Sequence, residues 1–237
     1  MNKERLKNGL EKMGIAADET ALDRFEAFHA ILDEYNARMD LTAVLDEDER
    51  VDRHDLDSAA PLAHGLLMPG AKVIDVGTGA GFPGLVLKIL DPTIQLILLD
   101  SLGKRVDWLG EVCQELHLPD VTLLKGRAEE LSRQKEHREG YDVAVSRALA
   151  SMPVLAELCL PYVKPGGLFL AVKSNKTDEE IDAARAIIQT LGGEDPFVMD
   201  YLLPETEIYH RVVTVFKSRP TPKAYPRKWS KIKEAKI

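Results

Sequence analysis

Cysteine is scarce in this chain. Its 237 residues include only Cys113 and Cys159, far apart and each in an apolar helical context, so a CxxC redox pair and a zinc knuckle are excluded and buried free thiols are expected. The six histidines, at positions 29, 54, 64, 117, 137 and 210, form neither an HExxH pattern nor a close cluster, which predicts no metal site. No apolar run approaches the roughly 18 residues that a membrane span needs. The N-terminus, "MNKERLKNGLEKMG", is charged throughout and has no signal-peptide h-region. These absences predict a soluble, cytoplasmic protein without a membrane partner. With no internal repeat, heptad or exposed apolar pattern, a monomer is the expected state.

What the chain does have is apolar material for a packed core, 45% of its residues, in a length that suits one α/β domain with an appendage. Its net charge of −8 is unevenly spread. From Lys217 to Ile237, "KSRPTPKAYPRKWSKIKEAKI" carries eight Lys or Arg against the single Glu234, and also bears Tyr225 and Trp229. On an acidic body this segment reads either as an arm that contacts phosphates or as a solvated terminal tail.

Three parts are expected: a helical extension over 1–69, the main domain over 70–218 and the basic tail over 219–237. In "DETALDRFEAFHAILDEYNARM", Leu22, Phe25, Phe28, Leu32, Tyr35 and Met39 recur at spacings of three and four behind the candidate caps Asp18 and Thr20. That pattern predicts an amphipathic helix. A second helix-like run passes through Leu56, Ala59, Ala60, Ala63 and Leu67, and the polar Arg53, His54, Asp55, Asp57 and Ser58 of its first turns read as a solvated face.

From Lys72 onward, strand-like and helix-like segments alternate: "KVIDVG", "GLVLKIL", "IQLILLD", "KRVDWLGEVCQELHL", "VTLLKG", "YDVAVSRA", "MPVLAELCLPYV" and "LFLAVKS". Such alternation implies a parallel sheet with helices on both faces. After Thr177 come one helix and two β-rich runs, "FVMDYLLP" and "YHRVVTVFKS", separated only by "ETEI". So short a link cannot hold a crossover helix, so these two strands should pair antiparallel at one edge. The fold class expected is α/β, Rossmann-like, in the arrangement of class I S-adenosylmethionine-dependent methyltransferases.

"VIDVGTGAGFPG", Val73 to Gly84, spaces three glycines at every second position behind an acid. A P-loop would need a lysine where Leu85 stands, and without that cation nothing balances a triphosphate. A dinucleotide fingerprint fits Gly77 and Gly79 but meets Phe82 at its third small position, with the Asp75 charge beside the expected pyrophosphate. S-adenosylmethionine suits the loop better. Glycines let the backbone approach, a helix N-terminus favours the cofactor's carboxylate, and Asp75 can receive its ammonium, directly or through water. Asp100 ends the second strand, where a carboxylate can accept ribose hydroxyls, and Glu129 after the third can lie beside the adenine with the backbone of Ala128.

The acceptor is narrowed by what is missing. The chain has "SRALASMP" where enzymes acting on exocyclic amines carry an Asn/Asp-Pro-Pro-aromatic loop, and Cys159 follows Leu158 rather than the proline common before the cysteine of base C5 methylation. Taken together, "DVGTGAGFPG", "LLDSLGKRVDWL", "GRAEEL", "YDVAVSRALASMPVL" and "YVKPGGLFLAVK", with "YNARMDLTAV", "RHDLDS" and "YPRK", resemble the RsmG (GidB) family from about Tyr35 to Lys228. These are bacterial methyltransferases of guanine N7 in 16S ribosomal RNA. Two departures are visible: Asp40 stands for a usual Asn, and "KWSKIKEAKI" replaces the commoner proline-bearing ending.

The resemblance implies 16S rRNA or the small subunit as partner, guanine 527 as target, and cofactor contacts at Gly77, Phe82, Ala128, Glu129 and Arg147. Arg147, ending the fourth strand, could hold the cofactor carboxylate or orient the base. Arg53, His54, Lys173 and Arg147 are the candidates for holding guanine O6. Guanine N7 has a free lone pair and loses no proton, so no general base is expected. The residues alone leave open a small-molecule or protein methyltransferase, and a non-catalytic RNA-binding assembly factor.

Overall fold

The computed structural model describes residues 1–234; positions 235–237 of the basic tail lie outside the described residues. Seven strands form one sheet: β1 (Lys72–Val76), β2 (Gln95–Asp100), β3 (Val121–Lys125), β4 (Tyr141–Arg147), β5 (Val163–Ser174), β6 (Phe197–Leu202) and β7 (Tyr209–Phe216), in the order β3-β2-β1-β4-β5-β7-β6. Strands β1 to β5 pair in parallel, and β7 lies antiparallel between β5 and β6. The expected edge hairpin is present, with its second strand inserted beside β5.

Successive residues of the inner strands turn to opposite faces and feed two cores. Val73, Leu96 and Leu98 join α1 (Lys3–Lys12), α2 (Glu19–Met39), α5 (Gly84–Leu90) and α6 (Gly103–Glu115) through Leu6, Phe25, Leu85 and Trp108. Ile74, Ile97 and Leu99 join α8 (Met152–Cys159) and α9 (Asp178–Thr190) through Leu155 and Ile181. The N-terminal helices therefore share a core with one face of the sheet. α2 starts where the sequence indicates, with the Asp18 carboxylate accepting from Ala21 N at 2.8 Å, and its stripe buries Leu22, Phe25, Phe28 and Leu32.

The next helical segment departs from expectation. α3 (Glu47–Arg50) runs through a π-helical turn, Val51–Leu56, into α4 (Asp57–Ala63). Only part of its polar face is solvated: Arg53 is exposed, but Asp55 and Ser58 are fully buried, and Asp52 and Asp57 nearly so. The wider turn changes which residues face inward, and each buried carboxylate meets a donor. Asp52 takes Arg5 at 2.7 Å, Asp55 takes His29 at 2.7 Å and Asp57 takes Arg147 at 3.2 Å. Pro61 lies inside α4 and has no N–H for the Asp57 carbonyl, which instead faces the Tyr201 hydroxyl at 3.5 Å.

The basic tail is docked rather than free. Lys217 Nζ, fully buried, donates to Glu139 (2.9 Å), Leu160 O (2.8 Å) and Thr221 Oγ1 (2.8 Å). Arg138 donates to the carbonyls of Thr221, Pro222 and Tyr225. Arg227 grips the buried Glu157, and Ile232 in α10 (Trp229–Ile232) enters the second core. A solvated tail is thus the wrong description of residues 217–232, because its anchors are contacts with distant parts of the chain; Lys223, Lys228 and Lys231 still point outward.

Candidate cofactor and base site

At the carboxyl ends of β1 to β4 the chain leaves a cavity of about 640 Å³, within the usual range for small-molecule sites. Its floor is the glycine loop. Gly77 has φ 73°, and a Cβ there would also lie 2.6 Å from Leu149. Asp75, fully buried beneath the loop, accepts from Thr78 Oγ1 at 2.7 Å and from Gly84 N at 2.9 Å. Burial pushes its carboxyl up to about 6 against these two hydrogen bonds. Gly84 must lack a side chain because a Cβ would stand 2.7 Å from Asp75 Oδ2 and from Leu98 Cδ2.

Asp100 joins the loop to the second strand. Its Oδ2 accepts from Gly79 N at 3.0 Å and its Oδ1 from Leu102 N at 2.8 Å. A carboxylate has about four acceptor positions, so two hydroxyls can still be received. A Cβ added at Gly79 would meet nothing nearer than Gly77 O at 4.0 Å, so the space above the loop is open to a ligand. Farther along, Arg127 Nε lies 3.2 Å from the Glu129 carboxylate, and Ala128 O accepts from Tyr162 OH at 2.8 Å.

The opposite wall comes from the N-terminal segment. Asn36 Oδ1 accepts from Leu41 N (2.8 Å) and Thr42 N (2.9 Å), folding the chain back after Asp40. Thr42 Oγ1 then meets His54 Nε2 at 2.7 Å, and His54 Nδ1 lies 3.2 Å from Arg147 Nη2. The same Nδ1 lies 3.1 Å from the Arg53 carbonyl, so it faces one group that can only donate and one that can only accept. Burial, and then the Arg147 charge, push the imidazole down to about 4, so it is neutral at pH 7. Phe82 packs beneath, with the His54 ring 4.8 Å and the Arg147 guanidinium 5.3 Å from its centre.

Of the sequence-predicted positions, Gly77, Gly79, Phe82, Asp100, Ala128, Glu129, Arg147 and His54 line this one cavity. Asp75, Arg53 and Lys173 do not: Asp75 braces the loop from below. Arg53 pairs with Glu49 at 2.9 Å and reaches the site through its carbonyl, which accepts from Arg147 at 2.7 Å. Lys173 is held by Glu180 (2.7 Å) and Ala150 O (3.1 Å), supporting the segment after β4. Thr42, Asp57 and Trp229 were not among the candidate site residues: Thr42 entered only within "YNARMDLTAV", Asp57 as part of a solvated face and Trp229 as part of the basic tail.

Comparison with known proteins shows the family. The family model for rRNA small subunit methyltransferase G, GidB, matches residues 21–209. The chain belongs to the GidB family. Ribosomal RNA small subunit methyltransferase G of Alkaliphilus metalliredigens is 44% identical over 223 residues, covering 94% of this chain and 93% of that protein. The protein of that name from Symbiobacterium thermophilum is 44% identical over 228 residues, with 94% and 93% covered. For the fold, a SAM-dependent methyltransferase from Aquifex aeolicus superposes with a TM-score of 0.51 at 20% identity, covering 72% of this chain and 93% of that one. Precorrin-6y C5,15-methyltransferase from Geobacter metallireducens gives 0.51 at 14%, covering 74% and 92%. As a GidB family member the chain is an S-adenosylmethionine-dependent methyltransferase, and the open loop, the spare acceptors of Asp100 and the apolar Leu102 surface fit that cofactor.

Proposed function

We propose that this protein methylates N7 of a guanine in 16S ribosomal RNA, the family's guanine 527, within the bacterial cytoplasm and as a monomer. The observation that carries the site assignment is the joining of the glycine loop and Asp100 to the His54–Arg147 wall in one cavity. When bound, S-adenosylmethionine would supply an activated methyl group for the N7 lone pair, with the sulfur as leaving group keeping the electron pair.

Gly77, Gly79 and Phe82 would hold the methionyl end, Asp100 the ribose, and Ala128 with Glu129 the adenine; Asp75 acts by keeping the loop in shape. Of the four base-orienting candidates, His54 and Arg147 line the cavity and would act directly. Arg53 would act through its carbonyl and Lys173 by supporting the segment after β4. Positive charge builds on the guanine ring, so a neighbouring cation would oppose the reaction. Arg147 is offset by Asp57 at 3.2 Å and His54 is uncharged, so the wall adds little net repulsion. Catalysis then rests on in-line positioning, worth roughly 7 to 11 kcal/mol in favourable cases.

The test is transfer of labelled methyl from S-adenosylmethionine to small-subunit particles lacking the modification, with total rRNA and protein extract in parallel. Label mapped to one N7-methylguanine is the expected result. Label confined to protein or small molecules would overturn the RNA assignment, and cofactor binding without any transfer would favour an assembly factor.

A further inference from the structure

We propose that the C-terminal segment completes the cofactor cavity, with the Trp229 indole laid against the adenine of S-adenosylmethionine. The inference rests on the reading of Ala128 and Glu129 as the adenine end. Trp229 lines the cavity and remains 37% exposed there. Its ring centre is 4.8 Å from the Arg127 guanidinium, and Arg127 immediately precedes Ala128.

The sheet order decides which ligand the indole faces. β3 stands three strand positions from β4, or about 14 Å at the usual strand spacing. Trp229 is therefore at the far end of the cavity from His54 and Arg147, where methyl transfer is placed. Leu102, after β2 and 52% exposed, supplies a second apolar surface at this end.

Anchors on both sides of Trp229 fix its place. Before it, Glu157 accepts from Arg227 N (2.6 Å), Nε (2.9 Å) and Nη2 (2.6 Å), and Arg133 donates to the carbonyls of Ala224 and Pro226. After it, Ile232 is fully buried in the second core. A flat aromatic surface held in this way costs a purine little entropy to meet, and stacking on it needs no particular hydrogen bonds.

The test is titration of S-adenosylmethionine into full-length wild-type, Trp229→Ala, Trp229→Phe and Asp100→Ala proteins, read by calorimetry and tryptophan emission. Trp108 is 2% exposed, so emission absent from Trp229→Phe reports on position 229. The expected results are quenching of that emission on binding, affinity at least roughly tenfold weaker in Trp229→Ala, and affinity within about threefold of wild type in Trp229→Phe. Unchanged affinity in Trp229→Ala, while Asp100→Ala loses binding, would overturn the proposal and leave the cofactor reading standing. Equal weakening in Ala and Phe variants with a lowered melting temperature would assign a structural role and overturn it. So would unchanged cofactor affinity with a raised KM for RNA. A wild-type protein that does not bind would overturn the cofactor reading and the proposal together.

Discussion

The Arg147 guanidinium lies 3.2 Å from the Asp57 carboxylate, and this contact ties the end of β4 to the helical segment built by the N-terminal part of the chain. Asp57 also accepts from the Tyr201 hydroxyl at 2.6 Å and meets His210 Nδ1 at 2.7 Å. One carboxylate thus joins α4, β4, β6 and β7 beside the cavity. The cavity keeps its shape because these elements are bound to one another there.

Removing that charge should therefore be costly at neutral pH. Burial alone would raise the Asp57 carboxyl, but the His210 hydrogen bond and the Arg147 charge outweigh it and hold it below the usual value. A carboxyl depressed in the folded state stabilises above its unfolded pKa, and that contribution is lost as pH falls through the folded value. Asp57→Asn should lose about 1–3 kcal/mol at pH 7, with the deficit shrinking below about pH 4. Denaturant melts of both proteins across pH 7 to 3 measure the gap; one that stayed constant would remove Asp57 from the account.

His54 gives a second, independent readout of the same wall. Its ring titrates at about 4 because of burial first and the Arg147 charge second. A histidine lowered in the folded state destabilises as pH falls from its unfolded value, about 6.5, toward 4. Arg147→Met removes one cause and leaves the other, so the ring should titrate higher than in wild type yet below 6.5. Histidine NMR across pH 3 to 8 measures this directly, and an unmoved titration would mean that Arg147 does not act on the ring.

The parts legible in the sequence are those whose causes are local. The stripe Leu22, Phe25, Phe28 and Leu32 needs only a 3.6-residue period, and the edge hairpin needs only a link too short for a helix. The glycine loop was legible because its constraints lie within Val73 to Gly84. Asp75 was found by type and position, but its partners Thr78 and Gly84 make it a brace. The burial of Asp55 and Asp57 was not legible, because His29 and Arg147 lie 26 and 90 residues away. Trp229 was hidden for the same reason: its anchor runs from Arg227 to Glu157, 70 residues back.

The loop makes a sharper prediction at Gly84 than at the glycines of positive φ. A methyl group there would sit 2.7 Å from both Asp75 Oδ2 and Leu98 Cδ2, so both buried side chains would have to shift. Gly84→Ala should cost about 1–3 kcal/mol and weaken S-adenosylmethionine binding by displacing Asp75 from Thr78. Asp75→Asn, which keeps an acceptor for Thr78 and Gly84, should weaken it less. Calorimetric titration of the two variants decides the order; a reversed order would mean that the Asp75 charge itself is needed by the ligand.

The tail tests whether a basic segment is held by its charge or by one buried acid. Glu157 is fully buried and accepts from Arg227 N, Nε and Nη2, so Arg227→Ala leaves a carboxylate in the core with only a backbone partner. The arginine side is 40% exposed, and solvent screens part of the pair, which puts the loss at about 1–3 kcal/mol rather than the larger cost of a fully enclosed one. Most of that loss is the stranded charge, so adding Glu157→Gln to Arg227→Ala should recover stability instead of subtracting more. Denaturant melts of the two single variants and the double variant form the cycle. Recovery in the double variant assigns the anchor to the ion pair; a double variant less stable than Arg227→Ala alone would assign it to packing of the surrounding chain.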